Sequence, residues 1–240
     1  EAYIKGSDIV FYLVNEPGIR EWIQKTNPQS ESLDIFYAKH NLRLECYRSM
    51  TDYVLEALYK RQHVCFVLYG HPTKYAKPAL DAVLRAKSEG FYTKILPGIS
   101  AEECLFADLL INPGSSGCQS FEATDFLIHK RLADSSSHLI LWQVGIIGAL
   151  SYPKYHNNHQ GSRVLVDYLK KFYKLNHMVT LYEAAQYPHF EPCINNLPLV
   201  ELPNAKFSPL STLYIPPARK PECDQAMLKA LNINIADLLR

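Results

Sequence analysis

Arg43 and Tyr47 stand four residues apart in a stretch, Arg43 to Gln62, where Leu44, Tyr47, Val54 and Leu58 fall near one face of a helix. A guanidinium fixed beside a phenol stabilises developing negative charge. It also lowers the phenol's ionisation, ordinarily at a pKa of about 10, so this spacing allows a tyrosinate base. Tyr37 lies six residues before Arg43, at the end of an expected strand, Leu33 to Tyr37. Taken alone, Tyr47 reads first as packing on a helix face with its hydroxyl in water, and a chain with 16 tyrosines puts some of them near an arginine by chance. A second set of residues points to a ligand. The apolar run Val64–Leu68 closes at Tyr69-Gly70-His71-Pro72, and Phe91–Leu96 closes at Pro97-Gly98-Ile99-Ser100-Ala101. In open α/β sheets small molecules bind where strands end and the chain turns. Gly70 lets backbone approach a ligand. His71 is a cap or a packed imidazole, with no proton-transfer role assigned. Ser100 is a helix cap or, following Pro-Gly at a helix start, a group suited to an anion. Gln143 ends another apolar strand, where a buried amide needs partners from ligand or backbone.

The elements that must position these residues follow from pattern. Glu1–Lys5 reads as the end of a helix, Asp8–Val14 as a strand, and Ile19–Lys25 as a short helix after the turn Asn15-Glu16-Pro17-Gly18. Val64–Leu68 and Phe91–Leu96 are the third and fourth strands. They flank a helix, Pro78–Glu89, that ends at Gly90. A helix over Ser100–Leu110 opens on a capping box of Ser100 and Glu103. Strand–helix alternation of this kind predicts a parallel sheet. The stretch Asn112-Pro113-Gly114-Ser115-Ser116-Gly117 marks the internal boundary. Beyond it, strands are expected at His138–Val144, Met178–Glu183, Leu197–Leu202 and Ser211–Ile215, with a helix at Ser162–Tyr173. The division is therefore 1–114 and 115–217, each an α/β domain, the second with a mixed sheet, and a tail, 218–240, whose helix spans Cys223–Leu231.

Bulk properties exclude some classes. A formal net charge of +1 argues against a nucleic-acid partner held by a basic surface. No apolar run approaches the ~20 residues of a membrane span, and the start carries no signal peptide. The six cysteines form no CxxC pair and read as buried, reduced thiols of a cytoplasmic protein. His156-Asn157-Asn158-His159 reads as a solvated loop. Two histidines three apart can share a metal, but no third ligand is evident, so no metal is expected.

At Tyr69-Gly70-His71-Pro72 and Pro97-Gly98-Ile99-Ser100-Ala101 the chain resembles the tetrapyrrole methylase superfamily. Within it, Gly117–Leu127, Leu141-Trp142-Gln143-Val144-Gly145, Tyr182-Glu183-Ala184-Ala185 and Pro209–Pro217 resemble the borosin peptide α-N-methyltransferases. The resemblance runs over nearly the whole chain. It implies a two-domain α/β fold with a parallel N-terminal and a mixed C-terminal sheet. S-adenosylmethionine would bind in the cleft between domains and leave as S-adenosylhomocysteine. The acceptors would be backbone amide nitrogens of a ribosomally made peptide. Tyr37, Arg43 and Tyr47 match the family's catalytic positions in order and spacing. The match assigns Arg43 to hold the acceptor's carbonyl oxygen, Tyr47 to take or relay the amide proton, and Tyr37 to assist. The cofactor would meet Tyr69, Gly70, His71, Ser100, Ala101, Gln143, Ser211 and Thr212, with Ser100 near its methionine carboxylate. Related enzymes act as homodimers. No apolar core-peptide run follows Pro216-Pro217, so the pattern resembles the split type, which acts on a separate precursor. The family opens with a strand and a Gly-containing turn that would precede Glu1. It also carries a tyrosine where this chain has Asp34, and Gly-Val-Phe where it has Thr73-Lys74-Tyr75. The readings kept beside this one are a tetrapyrrole or ribosomal-RNA methyltransferase of the same fold, and a homologue that binds cofactor or peptide without turnover.

Overall fold

A computed structural model describes residues 1–151, 159–187 and 189–238. In chain order the elements are α1 (Ala2–Lys5), β1 (Ile9–Leu13), α2 (Pro17–Thr26), β2 (Ser30–Ser32), α3 (Ile35–Lys39), α4 (Arg43–Tyr59), β3 (Val64–Leu68), α5 (Lys77–Ser88), α6 (Ala101–Asp108), α7 (Pro113–Ser116), β4 (Cys118–Glu122) and α8 (Ala123–Ile128). They continue with β5 (His138–Trp142), a 3-10 turn (Val144–Ile146), α9 (His159–Leu169), β6 (Met178–Glu183), β7 (Cys193–Pro198), a 3-10 stretch (Leu199–Asn204), β8 (Thr212–Ile215), α10 (Gln225–Ala230) and α11 (Ile235–Leu238). The chain forms two compact units. Glu1–Ile111 makes the first, together with the described residues 148–151. The second opens at Asn112 and takes up the chain again from 159.

In the first unit β1 lies between β2 and β3, and both pairings are parallel. Alternation along β1 sends side chains to both faces. Val10, Tyr12 and Val14 pack with Ile4 and Ile23, while Phe11 and Leu13 pack with Leu33, Phe36, Met50 and Val54. Helices therefore cover both sides, as a parallel sheet requires. In the second unit the order is β4-β5-β8-β6-β7. β4 and β5 are parallel and the other neighbours antiparallel. Its core joins Phe126, Leu139, Leu141, Leu165, Leu181, Leu213 and Ile215. The parallel and mixed sheets are those expected from the sequence.

Several local expectations are corrected. Leu33–Tyr37 is no strand: the short strand β2 precedes it, and Leu33 turns the chain into α3, which carries Tyr37. Asp34 and Leu33 accept the first turn's N–H bonds from Tyr37 and Phe36, so the short apolar run closes into a helix instead of extending. Phe91–Leu96 runs outside any ladder, which leaves β3 at the edge of its sheet. Leu197–Leu202 is divided between the end of β7 and the 3-10 stretch, where Pro203 cannot donate to a ladder. On α4 the buried positions are Cys46, Met50, Thr51, Val54, Leu55 and Ala57, and Leu44 faces out. All six thiols are free, but Cys193 and Cys223 are exposed. His156–Asn158 lie outside the described residues, and His159 opens α9.

Candidate functional site

Leu42 is extended (φ −93°, ψ 132°) and bridges antiparallel to Ser151, so Arg43 becomes the first residue of α4. Its N–H donates to Leu150 O at 3.0 Å and its Nη2 donates to Ala149 O at 2.7 Å. A cation at a helix N-terminus opposes the dipole. Here carbonyl acceptors from a distant stretch hold it in place. One turn on, Tyr47 packs on the core that contains Met50 and Leu33. Tyr37 lies on α3 with 37% of its surface exposed. α3 ends at His40, whose Nε2 hydrogen-bonds Ser49 Oγ of α4 at 2.9 Å. Phe36 packs at a tilt against Tyr53, ring centroids 5.5 Å apart, so α3 is fastened to the helix that bears Arg43 and Tyr47.

The two loops singled out in sequence meet in this unit. Gly70 adopts φ +73°, open to glycine at little cost. A Cβ on Gly98 would collide with Gly70 O, so the two backbones pass at a separation only glycine permits. Tyr69 leaves the end of β3 with 63% of its surface exposed. Its phenol is raised above the ordinary tyrosine value by partial desolvation, then by the negative charges of Tyr47 and Asp34. Those causes place Tyr47, Asp34 and Tyr69 within electrostatic reach of one another. With that much exposure the rise carries no stability argument.

His71 Nδ1 accepts from Thr73 N–H at 3.2 Å and hydrogen-bonds Thr73 Oγ1 at 3.0 Å. Thr73 thereby orients the imidazole. Lys74 bridges to Glu102 and Glu103, both at 3.1 Å, tying this loop to the start of α6, and Tyr75 follows in the left-handed region. Ser100 forms the expected capping box, its Oγ and N–H both bonded to Glu103. The helix-cap reading thus accounts for those contacts. Ala101 is the first residue of α6 and is exposed. Burial alone would raise Glu103. The Ser100 hydroxyl and amide, with Lys74, outweigh it and hold the carboxyl at about 2.

In the second unit Gln143 ends β5 at φ +59°, ψ 33°. A left-handed glutamine costs of order 1 kcal/mol, and such strain gathers at ligand-contacting turns. Two residues on, a Cβ at Gly145 would strike Ser208 O, so the turn after β5 is pressed onto the stretch before β8. Ser211 N–H donates to Ser208 O at 3.2 Å, and Val144 N–H to Ser211 O at 3.3 Å. Ser211 Oγ and Ser208 Oγ both donate to Glu183 Oε1, at 2.5 and 2.6 Å. Thr212 is buried and faces Tyr182 across the ladder. Glu183, Ser208, Ala149 and Arg20 (whose contacts follow below) were not singled out as site residues from sequence. Only Glu183 had a local signal, in Tyr182-Glu183-Ala184-Ala185. The others act through contacts that pair distant stretches of chain.

Comparison with known proteins places the chain among its relatives. The chain is 37% identical over 236 residues to the methyltransferase/ribosomally synthesized cyclic peptide lentinulin A precursor of Lentinula edodes, covering 96% of this chain and 56% of that protein. It is 36% identical over 238 residues to the corresponding omphalotin A precursor of Omphalotus olearius, at 97% and 57% coverage. The chain thus spans a little over half the length of these relatives. Among solved structures it resembles a diphthine synthase (TM-score 0.61, 13% identity, 92% of this chain and 83% of that one). It also resembles a cobalt precorrin-4 methyltransferase (TM-score 0.56, 15% identity, 90% and 86%). These last two likenesses concern the fold alone. The profile of the tetrapyrrole (corrin/porphyrin) methylases matches residues 1–187, and this chain belongs to that family.

Proposed function

We propose that this chain is an S-adenosylmethionine-dependent methyltransferase acting in the cytoplasm on backbone amide nitrogens of a ribosomally made peptide. Curated relatives carry both methyltransferase and peptide-precursor in their names, which supports a peptide acceptor. The observation that carries the reading is Arg43, anchored on Ala149 O one helical turn from Tyr47.

An amide nitrogen is a poor nucleophile because its lone pair is delocalised into the carbonyl. S-adenosylmethionine supplies an electrophilic methyl group. The chain must hold the amide, stabilise charge on its oxygen and accept its proton. A guanidinium has five N–H donors, and the bond from one of them to Ala149 O anchors the group near Tyr47's turn of the helix. In this reading Arg43 binds the acceptor's carbonyl oxygen, Tyr47 takes or relays the amide proton, and Tyr37 steadies the peptide. The cofactor fits the backbone surfaces that lack side chains at Gly70 and Gly98 in the first unit. In the second it fits the strained turn at Gln143, with Thr212 beside it. Tyr69, His71 and Ala101 complete its surroundings. Ser100 and Ser211 act mainly by shaping their turns, since each hydroxyl already serves a carboxylate. Self-association into a homodimer is part of the proposal. It is supported by α10, which buries none of its residues and leaves Met227 exposed.

The test is mass spectrometry of a candidate precursor peptide, offered as a separate chain and, in parallel, appended after Arg240. Methyl increments mapping to backbone amides are expected, and increments on the separate peptide establish action in trans. Tyr47→Phe should slow methylation roughly 10²–10⁴-fold while S-adenosylmethionine binding, read by calorimetry, is unchanged. An unaltered rate removes Tyr47 from the mechanism.

A further inference from the structure

Arg20 lies on α2, outside every motif discussed so far, yet its guanidinium ties three elements together. Its Nε donates to Val14 O, just beyond β1, and its Nη2 donates to Asp34 Oδ2 at 2.6 Å. Both side chains of the pair are about one-third exposed, so water screens the pair only in part. Asp34 occupies the N-cap position of α3, but its carboxylate makes no capping bond and turns to Arg20 instead. Its backbone carbonyl accepts from Tyr37 N–H at 3.0 Å. The residue gripped by Arg20 is therefore one helical turn from Tyr37 and bonded to it.

α3 has five residues, too few to hold its shape by hydrogen bonding alone. Its attachments include Phe36 in the core, His40 on Ser49 of α4, and Asp34 on Arg20. The first two bind α3 to the core and to α4. The last ties its start, beside the Leu33 N–H bond to Tyr12 O, to the carboxyl end of β1. Arginine suits the task because its planar fork can serve two acceptors in fixed relation, whereas lysine offers one point charge.

We propose that Arg20 is a positioning residue which, by clamping Asp34 to Val14 O, sets the orientation of α3 and hence of Tyr37. This rests on the proposed role of Tyr37 in peptide methylation, but the clamp has a readout of its own. The experiment compares wild type, Arg20→Gln, Asp34→Ala and the double variant. It measures S-adenosylmethionine binding, kcat and peptide KM, together with the ¹⁹F signal of a fluorotyrosine placed at position 37. Arg20→Gln should lower kcat by roughly ten- to a hundredfold, with cofactor binding intact, and shift or split the fluorine signal. The double variant should be no worse than the more affected single variant, because both remove one link. Arg20→Lys, which keeps the charge but on a single ammonium nitrogen, should retain an intermediate kcat, and it replaces Arg20→Gln if that protein does not fold. An unmoved fluorine signal, or losses that multiply in the double variant, overturns the clamp. If wild type methylates no peptide, the functional reading fails, and the fluorine signal alone decides the clamp.

Discussion

β3 and β5 are each five residues long and almost wholly apolar: Val64-Cys65-Phe66-Val67-Leu68 and His138-Leu139-Ile140-Leu141-Trp142. Every residue of β5 is buried, whereas every residue of β3 is only partly so. The difference lies in neighbours. β5 is paired on both sides, by β4 and β8, and helices α8 and α9 contribute to its core. β3 has β1 on one side only, and Phe91–Leu96, which the pattern assigned to a strand, runs outside the ladder. An apolar run of strand length records that a segment is to be buried. It does not record how many partners will bury it.

Four substitutions test this contrast, beginning with the largest effect. Leu141→Ala leaves a cavity in a closed core and should cost about 2–5 kcal/mol in urea unfolding followed by circular dichroism. A loss below about 1 kcal/mol would mean that β5 is less enclosed than described. Next, Gly145→Ala should cost about 1–3 kcal/mol, since a methyl group there meets the Ser208 carbonyl, and S-adenosylmethionine affinity should fall with it. Gly98→Ala makes the matching test in the first unit. If the proposed cofactor site relies on crowded glycines in both units, calorimetry should find the two variants similarly impaired in S-adenosylmethionine binding. At the partly exposed edge, Val67→Ala should lose only about 1 kcal/mol, and a loss equal to that of Leu141→Ala would erase the contrast between the sheets.

The smallest effect is electrostatic. Glu103 is held near 2, below its ordinary value of 4.5, so it stabilises the fold above about pH 4.5 and that contribution disappears as the pH falls toward 2. Glu103 is about half exposed, which limits the effect to about 1 kcal/mol. Wild type should therefore exceed Glu103→Gln in stability at neutral pH and match it near pH 2, as read by thermal unfolding across that range. A difference that persists unchanged into acid would show that Glu103 acts by packing.

The legible parts of the sequence were those whose cause is local. The capping box at Ser100 and Glu103 needs only four consecutive residues, and it forms as read. The pairing of Arg43 with Tyr47 needs only helical spacing, and both lie on α4. Tyr37 was given the wrong element, because a mostly apolar run of five residues suits a strand or a short helix equally well. The acceptor for Arg43 was not legible at all: Ala149 lies 106 positions away and offers a carbonyl that every residue type possesses. The same holds for Ser208 against Gly145 and Val14 against Arg20.

By itself, then, the sequence determined most of the strands and helices, though not the states of Leu33–Tyr37 or Phe91–Leu96, and it determined where helix α6 would begin and that Gly70 would sit at the turn after β3. Each of these follows from side-chain period, capping chemistry or backbone freedom within a few residues. Only tertiary structure decided that β3 would be an edge and β5 a centre, that Gly98 would need to be glycine because Gly70 passes beside it, and that a guanidinium on α2 would grip the start of α3. These depend on backbone carbonyls and neighbouring strands brought close by folding, and such partners carry no residue-specific mark in the chain.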